Sequence, residues 1–434
     1  MNAINKISFS EKLYQIGLFG FGFFMTLHDL PRIPLFGFEL RVGILFFIFI
    51  LAGFYSARKN EIFDSFKNYR LLWVSLLFFL IYTTLNCFTI DPTKRSIGFL
   101  IWLYINATVF SLMLIKPRKI LIYGLTATIT LNVFYIFLQH YFFDLIWLPE
   151  RFAEFTYVTD LVRAFGLFGE PSYGAMNLAF LYLYLMFFKL TPWKKLDFFL
   201  KSMTILAILF TYSRTGIVII CTLIPWDLYL SYKRSLRKGS ALLAVFLALF
   251  LVSAVNSRNY YPFINLKLKE IERVNAKEYF NQYRKFKMYR TEDEYNALMI
   301  EDGSQFRRII SLKRGWLAFV SNPIFGVGLA NSKDYLEKRN FLEELGEVNG
   351  LYNLFLEIAV ELGSIGVFLF LFLIFTLLYY AYRKNALLAA TFMLYIVFIP
   401  MQVCQNINMP PMWMAFYFVV LNLKSNSFFQ RHEK

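Results

Sequence analysis

Three charged residues, Arg163, Glu170 and Arg214, sit at the borders of long apolar runs, where a charge needs a reason. At mid-membrane a charged side chain costs about 2.5–3.5 kcal/mol on insertion scales, and less near the interface. Arg163 and Glu170 belong to Arg-Ala-Phe-Gly-Leu-Phe-Gly-Glu-Pro-Ser, and Arg214 to Tyr-Ser-Arg-Thr-Gly. A guanidinium can hold two oxygens of a pyrophosphate at once, which the point charge of Lys cannot. The alternative for these arginines is snorkelling to lipid headgroups or capping helix ends. Glu170 precedes Pro171, which suits the first turn of a helix, and Gly166 and Gly169 permit a tight re-entrant approach. A carboxylate there could accept a hydroxyl proton as a general base. It could equally be an N-terminal cap favoured by the helix dipole.

A polar stripe supplies further candidates. Asn349, Asn353, Glu357 and Glu361 are spaced four apart, so on a helix they share one face running into an apolar stretch. Gly363 and Gly366 would allow a bend or a close helix contact. Such a stripe faces either protein or a water-filled cavity, and hydrogen bonding between helices is its structural alternative.

The elements that must position these residues are membrane helices. Of the 434 residues, 58% are hydrophobic, 20% aromatic and only 17% charged, a surplus that a water-soluble surface cannot hide. Leu71–Phe88, Ile97–Ile115, Ile120–Phe142 and Gly239–Val255 approach the ~20 residues that cross a hydrocarbon core. Further spans are expected at Leu13–Leu27, Phe38–Ser56, Tyr173–Phe188, Phe198–Tyr212, Thr215–Leu230, Leu351–Tyr380, Ala386–Val403 and Pro411–Leu423. The expected fold is all-α: a polytopic transmembrane helical bundle of about twelve spans with a large helical periplasmic loop. No small-residue cleavage site follows the first span, so it is expected to be retained.

The net charge of +16 is distributed as topology would distribute it. Arg58, Lys59, Lys67 and Arg70, then Lys116, Arg118 and Lys119, then Lys189, Lys194 and Lys195, then Lys233, Arg234, Arg237 and Lys238, then Arg383 and Lys384 mark alternate loops. This positive-inside pattern puts both termini in the cytoplasm and Ser257–Gly350 outside, and it accounts for the charge without nucleic acid. The expected organisation is residues 1–256 with nine spans and a re-entrant segment near 143–172, the loop 257–350, and residues 351–434 with three spans and a cytoplasmic tail. Cys87, Cys221 and Cys404 fall in apolar spans, and His28, His140 and His432 are scattered, so no metal-ligand spacing exists.

Within the loop, Leu266–Met288 is helix-like and of mixed charge. Gln305–Val320 is amphipathic and basic through Arg307, Arg308, Lys313 and Arg314, and Asn322-Pro323 ends it. Gly326-Val327-Gly328 lacks the third glycine and the strand–helix context of a dinucleotide loop.

Taken in order, Arg163–Ser172, Ser213–Gly216, Arg308 through Asn322-Pro-Ile-Phe-Gly-Val-Gly, and Tyr352–Gly366 resemble the O-antigen polymerase and O-antigen ligase superfamily of polytopic glycosyltransferases. The resemblance implies transfer of a glycan from an undecaprenyl-pyrophosphate-linked donor to a lipid-linked acceptor. It implies a site on the periplasmic face of the bacterial inner membrane, with no metal or other cofactor, and a chain-length regulator as partner. It assigns Arg163, Arg214 and Arg308 to the pyrophosphate, with Arg307 as an alternative register for Arg308. Arg314, Asn349, Tyr352, Asn353 and Glu357 complete the expected substrate-binding set. Tyr352 stands where the ligase branch has the histidine of a His-Asn pair, which favours polymerase over ligase and makes Glu170 the first substitute base. A transporter would show internal duplication with broken helices in both halves, and none is visible.

Overall fold

The computed structural model describes residues 8–27, 33–35, 38–40, 42–141, 164, 166–168, 171–188, 190–256, 303–338, 351, 353–398 and 408–424. Fifteen helices lie among them. They are α1 (Phe9–Met25), α2 (Gly43–Ser56), α3 (Lys59–Asn68), α4 (Arg70–Thr89), α5 (Lys94–Ile115), α6 (Ile120–Tyr141), α7 (Pro171–Phe187) and α8 (Lys194–Phe210). There follow α9 (Arg214–Arg234), α10 (Leu236–Asn256), α11 (Gly303–Ser321), α12 (Ser332–Lys338), α13 (Leu354–Lys384), α14 (Ala386–Phe398) and α15 (Pro410–Lys424). The protein is an all-α, polytopic membrane bundle, and each expected span overlaps one of these helices. Arg70–Thr89, Lys94–Ile115, Ile120–Tyr141, Thr215–Lys233 and Leu354–Lys384 are long and apolar enough to cross a bilayer unaided.

Three local features differ from the expected pattern. Phe38–Leu40 does not begin a span: it pairs antiparallel with Ile33–Leu35, Ile33 opposite Leu40, and the helix starts only at Gly43. The basic stretch Arg58–Arg70 is not a plain loop but holds α3, started by Arg58 N–H donating to Glu61 Oε2 at 2.9 Å. Ser65 of α3 donates to Leu114 O at 3.0 Å, and Phe66 stacks on Trp73, which ties this helix to the ends of α4 and α5. Third, the short helix α12 follows the Asn322–Asn331 segment.

The centre of the bundle is made by α7 and α15, both apolar on all sides, as a helix enclosed by others must be. Every residue of α7 except Ser172 is buried, and Trp413, Phe416 and Tyr417 of α15 are fully enclosed. Polar side chains here pair across helices. Tyr417 donates to Asn106 Oδ1 at 3.0 Å, Tyr182 donates to Asp227 Oδ2 at 2.6 Å, and Lys201 pairs with the same carboxylate. Helices α1 and α6 meet backbone to backbone: a Cβ on Gly124 would stand 2.2 Å from Phe19 O, so only glycine fits. Large apolar side chains such as Ile48, Leu77, Leu247 and Phe368 face outward, where lipid must cover them.

Candidate functional site

Helix α13 is broken nine residues after it begins. Asn353 caps it by accepting from Leu356 N–H at 3.0 Å, and Gly363 interrupts it with φ 66° and ψ −169°. The left-handed φ strands backbone groups that lipid could not satisfy. The Pro323–Gly328 segment satisfies them instead. Val327 N–H donates to Val360 O at 2.8 Å, Gly328 N–H to Glu361 O at 3.0 Å, and Ser364 N–H to Pro323 O at 2.9 Å. The approach is so close that a Cβ on Gly363 would lie 2.1 Å from Ile324 O.

Buried amides lock that segment to the bundle. Asn86 of α4 donates to Phe325 O at 2.7 Å and accepts from Leu329 N–H at 2.9 Å, as a neighbouring strand would. Tyr82 donates to Leu362 O at 2.6 Å. Asn331 donates to Asp91 O at 2.7 Å and accepts from Thr93 Oγ1 at 3.1 Å, at the start of α5.

The polar stripe divides at this point. Glu357 and Glu361 are buried, and both lie on the Ser332 hydroxyl, at 2.9 and 2.8 Å. Asn353 instead lines an open groove of about 670 Å³ between α11 and α13, with Leu312, Trp316, Phe319, Leu356 and Phe368. Helix α11 carries Arg307 and Arg308 in its first half and a buried Arg314 further on. It packs on α13, Gly315 fitting against Leu351 and Leu356.

A second convergence surrounds the α8–α9 turn. Ala164 N–H donates to Phe210 O at 3.2 Å, while Gly166 N–H donates to Gln139 Oε1 at 2.8 Å and Leu167 N–H to Asn132 Oδ1 at 2.6 Å. The sequence neighbour of Arg163 is thereby held against the turn that carries Arg214, the first residue of α9. Ser213 caps this helix by accepting from Gly216 N–H at 2.9 Å, and Tyr212 before it takes φ 45°. A left-handed tyrosine is a strained residue of the kind that clusters at functional sites. Helix α6 runs from beside Lys116 to Gln139, and α5 runs back from Thr93 to Ile115. Both convergences therefore occupy the same end of the bundle, α11 joining it through α13.

Of the expected site residues, Asn353, Glu357 and Arg314 are placed with their side chains. Arg214, Arg307 and Arg308 are placed by their backbone alone. Arg163, Glu170, Asn349 and Tyr352 lie outside the described residues, as do His28, His432, Cys404 and Leu266–Met288. Sequence reasoning missed Ser332, Asn86, Asn331, Tyr82, Asn132 and Gln139. Asn86 and Asn132 did carry a signal, each being an isolated amide inside an apolar run.

Among the described residues the chain is a multi-pass helical bundle with a broken helix, a basic helix beside a lateral groove and, at the same end, the turn that carries Arg214. Two family models match it: WcaD colanic acid polymerase over residues 19–281 and O-antigen ligase over residues 199–371. The first covers more than half of the chain, and the chain belongs to this polymerase and ligase family of surface-polysaccharide enzymes. A comparison with curated proteins gives no match.

Proposed function

We propose that this protein polymerises undecaprenyl-pyrophosphate-linked oligosaccharide repeat units at the periplasmic face of the bacterial inner membrane. The observation that carries the reading is the groove of about 670 Å³ between the basic helix α11 and the broken helix α13. A lipid-linked glycan needs an apolar surface for its tail next to positive charge for its pyrophosphate; the groove is lined by apolar side chains, and the helix that forms one of its walls carries Arg307, Arg308 and Arg314 in its sequence. In this reading both termini are cytoplasmic, and residues 257–350 form a periplasmic loop between the membrane segments 1–256 and 351–434. A chain-length regulator is the implied protein partner.

The residues then take these roles. Arg163, Arg214 and Arg308 hold the donor pyrophosphate, with Arg307 and Arg314 beside them. Asn349, Tyr352 and Asn353 contact the glycan, and Glu357 acts behind them through Ser332. The hydroxyl at the non-reducing end of a new lipid-linked unit attacks the anomeric carbon of the growing chain's reducing-end sugar. The bond from that carbon to the pyrophosphate oxygen breaks, undecaprenyl pyrophosphate departs with the electron pair, and Glu170 takes the hydroxyl proton. Negative charge grows on the leaving group, so arginines fixed in advance supply the largest part of the rate.

Deletion of the gene followed by gel analysis of the surface polysaccharide tests the reading. A product stopped at one repeat unit supports polymerase. Loss of all attached polymer while lipid-linked polymer accumulates would make the enzyme a ligase, the activity of the second matching family.

A further inference from the structure

The Ser332 hydroxyl has one proton to give and two carboxyl oxygens within hydrogen-bonding distance, Glu357 Oε1 at 2.9 Å and Glu361 Oε1 at 2.8 Å. If both carboxyls were ionised, one contact would set the lone pairs of two oxygens against each other, because a carboxylate only accepts. Both short contacts are satisfied together when one carboxyl carries a proton and donates it to Ser332, which donates in turn to the other. Burial points the same way. Glu357 and Glu361 are 7% and 5% exposed, and Glu357 Oε2 is buried with no partner in hydrogen-bonding geometry among the described residues. The backbone N–H groups of Leu351 and Ala330 also face the pair, but two like charges buried side by side would still be far costlier than one.

Among the described residues no lysine or arginine forms an ion pair with either carboxyl. Arg95 of α5 is the cation whose field reaches Glu361, and it is shared with Asp334 of α12 at 3.8 Å. The same elements also carry Lys333, Tyr335, Glu337 and Lys338 on α12, Arg307, Arg308, Lys313 and Arg314 on α11, Arg70, Tyr82 and Cys87 on α4, and Lys94 at the start of α5, with Asp91 between α4 and α5.

We propose that Glu357 and Glu361 hold a single proton between them, relayed through Ser332, and that this linkage positions the Asn322–Ser332 segment against the break in α13. The pair stands one turn behind Asn353, the residue that opens onto the groove, and on the same helix. Its effect on polymerisation rests on the function proposed above. The shared proton does not.

Infrared spectroscopy of the purified, reconstituted protein at neutral pH tests this directly, reading the C=O stretch of a protonated carboxyl. The wild type should show one such band that is absent from both Glu357→Gln and Glu361→Gln. In each variant the glutamine amide supplies the donated hydrogen and the remaining carboxyl ionises. Glu361→Gln should keep normal abundance and most of its polymer, while Glu361→Ala, which has no donor, should lose polymer at equal abundance. Ser332→Ala should keep one protonated carboxyl at a shifted frequency. Absence of the band from the wild type, or its survival in either glutamine variant, would overturn the proposal. Failure of all proteins to make polymer with the band pattern intact would count against the polymerase reading alone.

Discussion

The two ends of the bundle treat buried charge in opposite ways. At one end Glu11 of α1 pairs with Lys116 and accepts from Arg118 Nε at 2.7 Å, while Lys116 also donates to Ser56 O at 3.1 Å. There one buried carboxylate meets two cations, and the cluster ties α1 to the ends of α2 and α5. At the other end Glu357 and Glu361 share one hydroxyl, and among the described residues no lysine or arginine forms an ion pair with either of them. Paired charge holds helices together and can be exchanged for other packing. Unbalanced charge beside a membrane persists where a ligand or a proton completes it.

The contrast can be broken by substitution, and the effects should fall in a definite order. The largest is expected from Glu170→Gln, which keeps shape and capping but cannot take a proton. General-base contributions are about 10²–10⁴-fold, so chain extension should nearly vanish at unchanged protein level. A rate within about threefold of wild type, well below that range, would remove Glu170 as the base. Next come Arg214→Ala and Arg308→Ala. A charge-assisted hydrogen bond worth about 1.5–3 kcal/mol at the transition state corresponds to roughly ten- to over a hundredfold in turnover. Lysine should restore only part of it, because the two-pronged geometry is lost. Wild-type polymer from either alanine variant at equal abundance would strike that arginine from the site.

At the paired end the loss should be of stability alone. Glu11→Ala leaves Lys116 buried without its carboxylate, a change that costs about 3–5 kcal/mol when burial is complete. Thermal unfolding in detergent should come earlier, with turnover per folded molecule unchanged; a slowed turnover would mean the two ends are coupled. The smallest effect belongs to Asn86→Ala, which strips Phe325 O and Leu329 N–H of their partner. About 1–3 kcal/mol follows from leaving such groups unsatisfied, read as faster hydrogen exchange confined to the Pro323–Leu329 segment.

The helices were legible because lipid imposes a simple rule: a run of about twenty apolar residues must close its own hydrogen bonds. What fails that rule was not legible. Helix α3 lies among basic residues that read as a loop, and its anchor, Ser65 to Leu114 O, spans 49 residues. The stripe of Glu357 and Glu361 was visible from its spacing, but Ser332 lies 25 and 29 residues away and nothing local marks it. Asn86 meets the Phe325–Leu329 backbone across more than 230 residues. Gly363 read as a bend, yet only the partner segment reveals that the helix is broken and its carbonyls taken.

Chain extension by the purified protein in proteoliposomes is the most direct measurement of what this molecule does. Supplied with undecaprenyl-pyrophosphate-linked repeat units and nothing else, it should produce a ladder of lipid-linked oligomers and release one undecaprenyl pyrophosphate for each bond formed. A preparation that leaves the repeat units unextended, yet transfers preformed polymer to an added lipid A-core acceptor, would contradict polymerisation and establish ligation in its place.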